Sequence, residues 1–325
     1  MPTKGSSMRK VRHFLFRLFQ KRFLFSNKRH IRQLEKLHIA HQGKPFIYDD
    51  EHLRFLYFSQ TCMQSVMNLN APDELVFAYT RDMMGFLLHN PAPRHILMIG
   101  LGGGSLVKFC HRFLPDCRIT VVEICADVLA LRDQFMLPAD DDRLEVIHDD
   151  AINYLQKTEL SVDVILLDGF TIDGLASELN TAKFYASCHR ALKPEGILVA
   201  NFWGKRKILT SMIQLLRKQF AYNTWWCRAS DCYNLVVFCL KGSCSSFKFI
   251  NVNRAYVGEQ AMALHLNELH QRLQTIPAGA QRIDATIHKQ NIELDLLDAH
   301  LKEIIASNKG VPANYMEWKA QVERR

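Results

Sequence analysis

The sequence predicts an α/β fold built on a doubly wound parallel sheet, and three observations carry that prediction. Strand and helix signals alternate from residue 95 onward; a glycine-rich loop inside HILMIGLGGGSLVK (95–108) joins the first strand to a helix; two β-rich runs then close the pattern. Such alternation calls for parallel strands covered by helices on both faces. The strand candidates are the short apolar runs 95–99, 119–123, 144–147, 162–167 and 196–201, followed by a helix near 209–220. The runs 222–227 and 233–240, separated by the turn-like 228–231, read as an antiparallel hairpin at the sheet edge. Five parallel strands plus a hairpin give a seven-stranded Rossmann-like sheet of the class I methyltransferase type.

The elements before this sheet divide in two. Residues 1–45 form a basic amphipathic leader: twelve Lys/Arg stand against Glu35, giving +11, so the other 280 residues carry −3 of the total +8. Within MRKVRHFLFRLFQKRFLF (8–25), a helix would bring Val11, Leu15, Leu18, Phe19 and Phe25 onto one face. Contact with a membrane surface or an anionic partner is one reading; a basic arm, partly disordered or packed on the body, is the other. Interspersed charges exclude a transmembrane span and no secretory cleavage site follows, whereas an organellar transit peptide would share the Arg-rich composition. Residues 46–90 form a small β-hairpin/helix unit. FIYDDEHLRFLYFSQTCMQSVMNL (46–69) predicts a hairpin or three-stranded sheet, and 73–89 an amphipathic helix capped by Asp73 and closed by Pro91 and Pro93.

After the nucleoside-binding unit, placed at 91–245, a helical extension is expected over 246–325, with breaks near 277–279 and 310–312. His265, His270 and His288 lack the i,i+4 spacing of a helical metal pair, so no metal site is expected. Nine cysteines without a CxxC pair suit a reducing, cytoplasmic setting. With hydrophobic residues at 48%, a full core is available and global disorder is excluded. The slightly acidic body shows no nucleic-acid-binding module.

The candidate site lies at the carboxyl ends of the strands. Gly100, Gly102, Gly103 and Gly104 let the backbone turn sharply and approach a ligand without a Cβ in the way. Alone, this loop also accommodates nicotinamide and flavin cofactors. Glu123 ends the second strand, where an acid can accept both hydroxyl protons of a ribose. At the end of the third strand, Asp149 or Asp150 can take a proton from an adenine amino group while the adjoining amide serves a ring nitrogen; helix capping is the competing use. Asp168 emerges from VDVILLDGFTID (162–173) into the crevice and is the leading candidate to meet the reacting group.

Taken with FYASCHRALKPEGILVAN (184–201), these residues resemble the polyamine aminopropyltransferases, the spermidine synthase family, over about residues 46–240. The resemblance implies that Glu123 holds the ribose of decarboxylated S-adenosylmethionine, a co-substrate and no tightly bound cofactor, and that Asp150 with the amide of Ala151 meets adenine. It further implies that Asp168 orients and deprotonates the attacking amine, that Gln64 and Tyr79 contact donor and acceptor, and that the chain pairs as a homodimer. Two family acids are absent: one falls on Gly103, the other on Thr171, with Asp173 as a replacement if the loop bends back. Loss of the loop acid removes a repulsion against the carboxylate of ordinary S-adenosylmethionine. The expected reaction is aminopropyl transfer to a diamine such as putrescine, as in polyamine biosynthesis. Methyl transfer from S-adenosylmethionine on the same fold and a catalytically weak nucleoside-binding scaffold are the alternatives.

Overall fold

A computed structural model describes residues 28–60, 62–171, 174–203, 206–229, 234–242 and 264–275. The basic stretch 8–25 and most of 246–325 lie outside the described residues. The chain begins with helix α1 (Lys28–Ala40), which sets Leu34 against Phe46, Phe55, Tyr57 and Val66 of a three-stranded antiparallel sheet. That sheet runs β1 (Phe46–Asp50), β2 (Leu53–Ser59) and β3 (Cys62–Asn68). Helix α2 (Ala78–Met83) follows and passes into a 3-10 turn, Met84–Leu88.

The main sheet is built from β4 (His95–Ile99), α3 (Ser105–Phe113), β5 (Arg118–Glu123), α4 (Ala126–Leu129), β6 (Leu144–His148), α5 (Ala151–Lys157) and β7 (Val162–Leu167). A short pair, β8 (Phe170–Thr171) and β9 (Gly174–Leu175), precedes α6 (Ala182–Ala191), β10 (Leu192–Phe202), α7 (Arg206–Gln219), β11 (Thr224–Arg228) and β12 (Leu235–Leu240). With a last strand β13 (Gln274–Thr275), strand order is β13-β11-β12-β10-β7-β4-β5-β6. From β4 the chain winds outward through β5 and β6, then crosses to β7 on the other side of β4 and continues to β10. The switch point therefore lies between β4 and β7, where ligands bind in open α/β sheets.

Both faces of the central strands are buried, which explains their nearly unbroken apolar sequences. Ile96, Met98, Val164, Leu166, Ile197 and Val199 enter one core layer. Their neighbours Leu97, Ile99, Ile165, Leu167, Leu198 and Ala200 enter the other.

The seven expected strands are present, and among the described residues a short eighth, β13 (Gln274–Thr275), joins the edge beside β11, pairing with Trp225 and Trp226. Three other expectations change. Within the extension expected to be helical, the described part is one helix, α8 (Leu266–Arg272), and a strand. The amphipathic segment 73–89 contains a helix of only six residues before its 3-10 turn. Asp73 caps nothing there: it pairs with Arg112 of α3, and the cap position is Phe77, without a side-chain bond. Arg81 explains the late start, because its guanidinium donates to the carbonyls of Leu75 and Val76 at 2.6 and 2.7 Å and holds that stretch open.

Candidate active site

The glycine loop reads as geometry once its neighbours are placed. Gly100 has φ +94°, and a Cβ there would run into the carbonyl oxygen of Asp168 and stand 3.1 Å from Cα of Gly169. Asp168 N–H donates to the Ile99 carbonyl at 2.9 Å, so the ends of β4 and β7 touch where the loop departs. Gly104, also left-handed at φ +66°, stands at the N-cap of α3. At Gly103, a Cβ would lie 2.9 Å from the Phe135 ring and 2.9 Å from Ser65 Oγ. Ser65 and Phe135 occupy the space that the missing loop acid would need.

Glu123 is 7% exposed at the end of β5. Its two oxygens accept from the amides of Leu101 and Cys125, each at 2.8 Å. This carboxylate ties the glycine loop to the strand end with its orientation fixed, and each oxygen keeps acceptor capacity for a hydroxyl. Glu123 pairs with His148 across β5 and β6, which brings Asp149 and Asp150 alongside. Asp149 accepts from Asp150 N–H at 2.8 Å and lies 3.7 Å from Lys157. Asp150 is the N-cap of α5, its Oδ1 accepting from Ile152 N–H at 2.8 Å. Its Oδ2 accepts no hydrogen bond among the described residues. The Ala151 amide is in the first helical turn, where N–H groups have no intrahelical acceptor.

Asp168 follows β7. Oδ1 accepts from Asn201 Nδ2 at 2.8 Å, and the Tyr79 hydroxyl from α2 stands 3.5 Å from Oδ2. Burial pushes the carboxyl up to about 6, while the hydrogen bonds from Asn201 and Tyr79 pull the other way. A half-buried carboxylate with so high a pKa can accept a proton near neutrality. Phe77 stacks on the Tyr79 ring at 5.7 Å between centroids, which fixes the phenol's direction.

Gln64 sits in β3 at a bulge: Leu56 pairs with Ser65 and Tyr57 with Met63, leaving Gln64 as the extra residue. Its amide donates to Cys62 Sγ at 3.4 Å, and its neighbour Ser65 faces Gly102 and Gly103. Asp173 lies outside the described residues. Sequence reasoning assigned no role to Asn201, which is 2% exposed at the end of β10, or to Asn234, whose Nδ2 donates to Asn201 Oδ1 at 2.9 Å. A polar residue inside the apolar run ILVANF (197–202) was the available signal, since buried amides require partners.

An open α/β sheet with a glycine loop at its switch point and acids at the ends of three strands defines a protein of the Rossmann-like, methyltransferase-type fold class. Within that class, a model of the spermine/spermidine synthase domain matches residues 76–238, half of the chain. The polyamine aminopropyltransferase of Chromobacterium violaceum is 40% identical over 175 residues, which cover 54% of this chain and 67% of that relative. The chain belongs to the spermine/spermidine synthase family of transferases.

Among solved structures, a probable spermidine synthase from Corynebacterium glutamicum is similar with a TM-score of 0.55 at 20% identity, covering 67% of this chain and 82% of the other. A spermidine synthase in complex with the transition state analogue AdoDATO gives 0.51 at 18%, covering 65% and 78%. At these identities the two structures bear on the fold alone.

Proposed function

We propose that the chain transfers an aminopropyl group from decarboxylated S-adenosylmethionine to a diamine such as putrescine. The amine nitrogen attacks the methylene carbon next to the sulfonium, the C–S bond breaks, and its electron pair returns to sulfur as neutral methylthioadenosine leaves. The nitrogen's surplus proton passes to Asp168. Because the leaving group needs no acid, catalysis reduces to alignment and to a base that keeps the attacking lone pair available. The observation that carries this reading is Asp168, a half-buried carboxylate raised to about 6 and contacted by Tyr79 and Asn201 at the switch point.

The other roles follow from position. Gly100, Gly103 and Gly104 let the loop fold closely against Asp168, Phe135 and Leu137, Gly102 leaves the donor its room beside Ser65, Glu123 receives the ribose hydroxyls, and Asp150 Oδ2 with the Ala151 amide meets the adenine edge. Gln64 is assigned to the donor and Tyr79 to the acceptor; Asp173, five residues after Asp168 in the sequence, is assigned to the acceptor as well.

Incubating the purified chain with decarboxylated S-adenosylmethionine and putrescine should yield equal amounts of methylthioadenosine and a triamine by mass spectrometry. S-adenosylhomocysteine formed from S-adenosylmethionine would mark methyl transfer instead. Absence of product from either donor, with no thermal shift from methylthioadenosine, would leave only a scaffold. Asp168→Asn should lower kcat at least about a hundredfold while methylthioadenosine still binds; retained turnover removes Asp168 from the mechanism.

A further inference from the structure

Behind Asp168, two carboxamides stand in series. Asn201 Nδ2 donates to Asp168 Oδ1 at 2.8 Å, and Asn201 Oδ1 accepts from Asn234 Nδ2 at 2.9 Å. A carboxamide presents a donor on one side and an acceptor on the other, and half a turn exchanges them. Asn201 is 2% exposed, so water does not compete for either end. Asn234 immediately precedes β12, the strand that pairs with β10 with Val236 opposite Asn201. With Asn234 presenting its NH2 group, Asn201 satisfies both of its ends in the orientation that turns its own NH2 group toward Asp168.

We propose that Asn234 is a positioning residue: it locks the Asn201 carboxamide so that only its NH2 group faces Asp168, holding Oδ1 as an acceptor and leaving Oδ2 to receive the proton of the acceptor amine. The inference rests on the reading of Asp168 as the base. Tyr79 from α2 is the ionisable group that faces Asp168 among the described residues; Asn201 from β10 and Gly100 from the loop are neutral, and Glu123 lies two strands away on β5. If the Asn201 amide turned over, its oxygen would face a carboxylate oxygen, and Asp168 would have to hold a proton to bridge the two. Asp168 would then be occupied before the amine arrived.

Asn234→Leu, close in size and unable to donate, is the test. The Asp168 carboxyl carbon, followed by NMR in protein labelled at aspartate, should titrate about one pH unit higher than in the unaltered chain. With that shift, kcat at pH 6 should fall about fivefold, the midpoint having moved from about 6 to about 7, and the loss should fade above pH 8. Methylthioadenosine affinity should stay within about twofold, which a merely loosened fold would not allow. An unchanged Asp168 midpoint overturns the proposal.

Should the leucine variant fail to fold, a neutron structure of the unaltered protein decides: deuterons on the Asn201 atom facing Asp168 support the lock, and their absence there overturns it. The titration and the neutron map are read without turnover. An absence of aminopropyl transfer would therefore refute the proposed function and leave the amide orientation separately testable.

Discussion

Two aspartates at opposite ends of β7 show how neighbours assign a task. Asp163 receives the amides of Arg94 and His95, each at 2.9 Å, and the Lys193 ammonium at 3.0 Å, so its capacity is spent on joining strands. Asp168 keeps one short hydrogen bond and a raised pKa of about 6. A carboxyl raised on folding contributes stability that is fully present below its unfolded value and is lost as pH rises through the folded one. Asp168→Asn should therefore stabilise the fold by about 2 to 3 kcal/mol at pH 8 and about half that at pH 5, measured by urea denaturation at both. With Asp168 as the proposed base the same titration governs turnover, and kcat/KM should fall about tenfold per unit below pH 6. At Gly103 the surroundings, more than the backbone, forbid a side chain. Gly103→Asp should cost about 1–3 kcal/mol in denaturation because Phe135 and Ser65 would have to give way.

Among the elements, α2 depends on a segment nearly two hundred positions away. Arg272 at the end of α8 grips Asp82, which is 3% exposed, with both of its terminal nitrogens, and also donates to the Arg228 carbonyl at 2.7 Å. Gly85 admits this docking, since a Cβ there would stand 2.5 Å from Leu269. Arg272→Ala should destabilise the protein by about 3 kcal/mol in urea denaturation, because a buried carboxylate loses its bidentate partner. Tyr79 rides on the same helix, so acceptor KM should rise with it. Local sequence could not reveal this arrangement. The central strands were legible because burial on both faces writes one uninterrupted apolar run, whereas 73–89 reads as a single amphipathic helix until Arg81 and α8 are in place.

At the scale of the molecule, the crevice gathers side chains from β3, the glycine loop, the ends of β5, β7 and β10, and α2. Glu123, Asp149 or Asp150, and Asp168 stand out in the sequence as candidates, since each ends or follows a strand on the side where open sheets bind ligands. Asn201 shows there only as a polar residue in an apolar run, and its contact with Asn234 is not legible at all, the two being 33 residues apart and brought together by the pairing of β10 with β12. Methylthioadenosine at a hundred times its Kd should raise stability by about 2.7 kcal/mol, and Glu123→Ala should abolish that gain in a thermal-shift titration.

The two-residue strand Gln274–Thr275 runs along Trp225 and Trp226, which are 7% and 4% exposed. Clipping the chain ahead of Leu264 would strip that cover and bare a row of unmatched amides beside two indoles. Such a border recruits strands from other molecules. A trimmed preparation should therefore sediment as growing aggregates while the intact chain does not, which makes the short strand Gln274–Thr275 a guard against self-association.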